Sequence, residues 1–123
     1  MSVHVPMLKL GDVLIVTVQA ALTDAQLVDL RTELADRIGR LRSRGVVVDV
    51  SLLDVLDSFA SRTLADIAKI ARLRGARAII VGIQPDAAFA MVQLGLTLEG
   101  VDTAVDLDEA MEILARNDER RRG

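Results

Sequence analysis

Cysteine is absent from this chain, tryptophan and tyrosine are absent too, and histidine occurs once, as His4. Without cysteine there are no disulfides and no thiolate chemistry, which fits a reducing compartment. A single histidine builds no metal cluster by itself, and on a short N-terminal strand it reads as solvent-facing rather than catalytic. Aromatics are only 2% of the residues, namely Phe59 and Phe89. The core must therefore come from Leu, Val, Ile and Ala. No basic excess exists: the formal net charge is −3, which argues against nucleic acid as a partner. No apolar run approaches the roughly 20 residues of a membrane helix, and "MSVHVPMLKL" lacks the pattern of a signal peptide. The expected place is the cytoplasm.

What is present suits one globular domain. Its 123 residues are 51% hydrophobic and 27% charged, enough for a single core and too short for two. "VHVPMLKL" and "DVLIVTV" read as strands joined at Gly11-Asp12, a hairpin signal, with Pro6 marking an edge. Thr23 and Gln26 form a capping box. Leu27, Leu30, Leu34, Ile38 and Leu41 then recur at helical spacing, and Gly45 is expected to end that helix. "VVVDV" (46–50) reads as a central strand covered on both faces. A second helix runs to Gly75, a strand follows in "ARAIIVGI", and Pro85 starts a third helix that stops at Gly95. "VDTAV" is a last strand. Asp106 and Glu109 open a final helix reaching about Ala115. The order β-β-α-β-α-β-α-β-α predicts an α/β fold with a mostly parallel sheet, an initial hairpin and covering helices. The domain is expected over 1–116, with a polar tail at 117–123.

Candidate chemistry is sparse. No nucleophile elbow, phosphate-binding loop, dinucleotide fingerprint or zinc helix occurs, so no catalytic, cofactor or metal residue is assigned. Asp49, near the end of the central strand, is read as a turn-stabilising carboxylate. A phospho-accepting receiver domain would need further acidic residues after its first strand, and only Asp12 is nearby. Arg120, Arg121 and Arg122 read as a solvated tail.

The remaining feature is Asp57-Ser58, where a strand and turn give way to a helix. Both residue types cap helices well, so a purely structural role is one reading and a modification site is the other. At 100° per residue, Ala60, Leu64, Ile67 and Ala71 form a buried stripe, and Ser58 falls about 150° from its centre. Its hydroxyl is therefore expected in solvent. Phe59, about 110° away, either meets a partner or folds back over the strand ends. Thr63 leans toward the core and Ser61 lies on a flank.

"PMLKLGDVLIVTVQ", "GVVVDVSLLDVLDSFASRTLADI", "VGIQP" and "LGLTLEGVDTAVDLDEAME" together resemble STAS domains, the anti-sigma-factor antagonist fold, and among them the RsbS-like proteins of bacterial stressosomes. The resemblance implies a non-enzymatic scaffold that co-assembles with an RsbR-like STAS paralogue. It also implies an RsbT-like serine kinase as a partner, released after phosphorylation, and an RsbX-like phosphatase that resets the system. On this resemblance Ser58 is the phosphoacceptor, with Asp57, Phe59 and Ser61 beside it. Many antagonists carry D-S-x-G-L-G at this place. This chain has "DSFASR", which favours the RsbS type. Two rival readings are a generic STAS module, for instance on a transporter, and a hydrolase using Ser58.

Overall fold

The computed structural model describes residues 5–96, 98 and 100–122, with side-chain surroundings up to Arg116. His4 and the side chains of Arg120, Arg121 and Arg122 lie outside the described residues. Five strands form one sheet in the order β1-β2-β3-β4-β5. They are β1 (Met7–Leu10), β2 (Val13–Thr17), β3 (Gly45–Asp49), β4 (Arg77–Val81) and β5 (Asp102–Ala104). β1 pairs antiparallel with β2 through the Gly11-Asp12 hairpin, and every later pairing is parallel. The four helices are α1 (Asp24–Leu41), α2 (Ser58–Leu73), α3 (Pro85–Gln93) and α4 (Leu107–Arg122). The element order agrees with the sequence reading throughout.

Two apolar layers hold the sheet. On one face Leu14, Val16, Val46, Val48 and Ile80 pack against Leu30, Leu34 and Ile38 of α1, Leu64 and Ile67 of α2, and Ala87 and Met91 of α3. On the other, Val13, Ile15, Val47, Ile79 and Val81 meet Ala110 and Leu114 of α4. Strand residues alternate between faces, so a strand covered on both sides must be apolar at every position. Val46, Val47 and Val48 are fully buried, in accord with that rule.

Local chemistry sets the helix boundaries. The Gln26 N–H donates to Thr23 Oγ1 at 3.1 Å and the Thr23 N–H donates to Gln26 Oε1 at 2.9 Å, completing the capping box. Gly45 does not end α1, contrary to expectation. Arg42 does, in a left-handed conformation (φ 49°, ψ 43°), with its N–H directed at the Gly39 and Ile38 carbonyls. Gly45 instead opens β3, and a Cβ there would lie 2.7 Å from Leu114 Cδ1. The glycine makes room for α4 on the second face. α4 continues to Arg122 rather than stopping near Ala115, in keeping with the high helix propensity of Glu and Arg.

Ion pairs tie neighbouring strands at their ends. Arg77 Nε donates to Asp102 Oδ2 at 2.5 Å, joining β4 to β5. The guanidinium hydrogen bond holds the Asp102 carboxyl below its ordinary pKa and raises that of Arg77. Arg44 does the same for Asp12 at the hairpin.

Candidate functional site

The carboxyl ends of β3 and β4 carry two loops, and the residues of interest stand there. β3 ends at Asp49, whose carboxylate accepts from the Ser51 N–H at 2.9 Å. That contact makes Asp49 a turn stabiliser, as its sequence position suggested. The Leu53 N–H then donates to the Val50 carbonyl at 3.0 Å, closing a tight turn. Leu53 and Leu56 are buried beneath the loop, while their neighbours Leu52 and Val55 are 60% and 66% exposed.

Asp57 is the N-cap of α2. Its Oδ1 accepts from the Ala60 N–H at 2.8 Å, and Ser58 is the first helical residue. Residues with short polar side chains begin helices because the first N–H groups have no partner within the helix. Asp57→Ala is expected to lower stability by about 1 kcal/mol, the usual worth of such a cap, in a urea titration. An unchanged midpoint would show that the bond contributes nothing.

Ser58 is half-buried, not wholly in solvent as its helical angle predicts. A helical wheel accounts for the helix and the core but not for the chain entering it. Phe59 is also half-buried, and its carbonyl accepts from Thr63 Oγ1 at 2.8 Å. Thr63 is buried, as expected. Ser61 is a correction: the flank position is not open, and the residue is only 3% exposed. α2 is the middle helix of its layer. α1 borders one side, through Arg31 and Asp66, and the segment before β5 borders the other, where Arg72 donates to the Gly100 carbonyl. Ser61 and Thr63 are both buried, which withdraws them from any enzyme that acts on the surface. Ser58 is the reachable hydroxyl on the first turn of α2.

A second loop supports this one. Gly82 follows β4 with φ +78°, and a Cβ there would lie 2.7 Å from Ser51 Cβ. Next, Gln84 Nε2 donates to the Ser51 carbonyl at 2.7 Å. Pro85 starts α3 directly afterwards. "GIQP" thus fixes the start of the loop that leads to Ser58. Sequence reasoning noted the motif without assigning it this work. It also missed Leu52 and Val55, whose exposure depends on which way a turn points its side chains.

An apolar cavity of about 110 Å³ lies behind the loop, with Asp57 among its lining residues. Among the described residues no group of three or more His, Cys, Asp or Glu is placed to hold a metal ion. No helix among them is long and apolar enough to cross a membrane.

Fold and site together define a single-sheet α/β domain with a serine at the opening of its second helix. The sequence profile of the STAS domain matches residues 4–110, and the chain belongs to the STAS domain family. Its similarity is of the RsbS kind. An S58E variant of RsbS from Moorella thermoacetica superimposes with a TM-score of 0.81 at 31% identity, covering 95% of this chain and 99% of that one. A chain from the molecular architecture of the stressosome, a signal integration and transduction hub, gives 0.78 at 33% identity, covering 92% and 98%. The RsbT co-antagonist protein RsbRA of Bacillus subtilis is 28% identical over 80 residues, 65% of this chain but 29% of RsbRA. The chain thus matches less than a third of that relative's length.

Proposed function

We propose that this chain is a non-enzymatic scaffold and phospho-switch of a cytoplasmic stressosome. It co-assembles with an RsbR-like STAS protein, holds an RsbT-like serine kinase, and releases it when Ser58 is phosphorylated. An RsbX-like phosphatase restores the starting state. One observation carries the reading: an accessible serine opens α2 beside two exposed apolar residues, in a chain similar to RsbS over nearly its full length. Similarity to a stressosome chain and to RsbRA supports co-assembly. The glutamate exchange in the Moorella relative also falls on a serine, in that protein's own count.

The chemistry of the first turn suits a reversible charge. Phosphate adds about −1.5 to −2 charges at neutral pH. The positive end of the helix favours an anion by roughly 0.3–1 kcal/mol. Asp57, at about 6 Å in water, opposes it by roughly 1 kcal/mol. Arg62 is exposed four residues on, the spacing at which helix side chains meet. The fold therefore tolerates the phosphate, and the change is felt at the surface. A partner covering Leu52 and Val55 would have to desolvate the dianion beside Asp57.

Analytical ultracentrifugation tests the scaffold. The chain mixed with its RsbR-like paralogue is expected to sediment as a large particle. Monomers of both proteins across the concentration range would overturn co-assembly.

A further inference from the structure

The cavity behind the 51–57 loop is wedged between the starts of α1 and α2. Leu27 and Leu30 of α1, Val50 at the end of β3, Leu56 of the loop and Leu64 of α2 supply most of its wall. All five are buried. Ala21 and Val55 stand at its exposed edge, so the space communicates with solvent. Asp57 is the one charged residue among those lining it, and its carboxylate is already engaged by the Ala60 N–H. A space of this size with such walls gives water few hydrogen-bond partners. An enclosed apolar cavity of about 150 Å³ accepts benzene or xenon, and this one, open at its edge, offers such a molecule the same kind of wall.

We propose that this cavity is a binding site for a small, uncharged, apolar ligand of about benzene size, and that its occupation is linked to the charge on Ser58 through Asp57. The linkage rests on the reading of Ser58 as the switch. Asp57 has two tasks at once: it lines the cavity, and it caps the helix whose first residue is Ser58. A negative charge on Ser58 repels the Asp57 carboxylate. That repulsion turns the Asp57 side chain and shifts Leu56, the next residue back and part of the same wall, without cost to the fold as a whole. Ligand binding holds this wall in place and so favours the uncharged serine. Coupling between two sites is reciprocal, so each state must weaken the other by the same factor.

Benzene titrated into the full-length chain, followed by methyl resonances, is the test. Saturating shifts are expected at Leu30, Val50, Leu56 and Leu64, and none at the exposed Leu8 and Val105. Ala60→Leu, which places a larger side chain at the cavity wall, is expected to abolish them. Ala21→Leu, from the opposite edge, serves if Ala60→Leu does not fold. Absence of saturating shifts at the lining residues, or their persistence in the filled variant, overturns the site. In Ser58→Glu the benzene affinity is expected to fall about fivefold, the lower end of usual couplings. An unchanged affinity overturns the linkage. Neither readout uses the kinase, so failure here is distinguishable from failure of Ser58 as its acceptor.

Discussion

A glutamate at position 58 is expected to weaken the hold on an RsbT-like kinase by about a hundredfold or more. The reason is desolvation. Ser58 is half-buried at the start of α2, and Leu52 and Val55 on the preceding loop are the apolar surface a partner would cover. An anion trapped in such an interface without a matching cation costs several kcal/mol. Each 1.4 kcal/mol is a factor of ten in affinity. The fold itself is expected to be unaffected, since the favourable helix end and the unfavourable Asp57 nearly cancel. Calorimetric titration of the kinase into wild-type and Ser58→Glu assemblies, with thermal melts of both, measures the two effects together. Equal affinity for the two forms would remove charge as the means of release. A large drop in melting temperature would show instead that the charge acts by disrupting the fold.

Gly82→Ala is expected to cost about 2–4 kcal/mol of stability, a loss in the range that strain and overpacking reach. Two terms contribute. At φ +78° an L-residue is held in the left-handed region, which costs roughly 1–2 kcal/mol. The new Cβ would also lie 2.7 Å from Ser51 Cβ and 3.2 Å from Ser51 Cα, and a backbone atom cannot swing aside as a side-chain tip can. Gly95 provides the comparison. Its φ is +68°, but nothing lies within 4 Å of its added Cβ, so Gly95→Ala carries the conformational cost alone. Urea unfolding of the two variants separates the contributions. Equal losses would show that contact with Ser51 is relieved at no cost. The consequence for function is direct, because Ser51 is also where Gln84 anchors the loop leading to Ser58.

The features legible in the sequence are those fixed by near neighbours. The Thr23–Gln26 capping box, the Gly11-Asp12 hairpin, the Pro85 helix start and the valine run of β3 all depend on a few adjacent residues, and each is found where its pattern placed it. The Asp57-Ser58 helix start was legible for the same reason. What the pattern did not convey depends on distant chain segments. Gly45 looks like a helix stop, yet its lack of a side chain serves Leu114, remote in sequence. Ser61 looks like a flank residue, and its burial follows from tertiary packing around α2 rather than from its helical angle. The partial cover over Ser58 is a tertiary effect that its helical angle does not convey. The grip of Gln84 on Ser51 and the cavity behind Asp57 arise from volumes and directions that no spacing rule encodes. Assignment of Ser58 as an acceptor came from family resemblance, since a good cap and a good acceptor are the same residue in sequence terms.

Site mapping of phosphate is the most direct test of the central claim. The wild-type chain and Ser58→Ala are incubated with the cognate switch kinase and ATP, and phosphate is located by mass spectrometry. The account predicts phosphate on Ser58 in the wild type and none in the variant, with Ser61 and Thr63 unmodified in both because they are buried. An unmodified wild type, with the kinase shown active on another substrate, would contradict it and leave Asp57-Ser58 as a helix start alone.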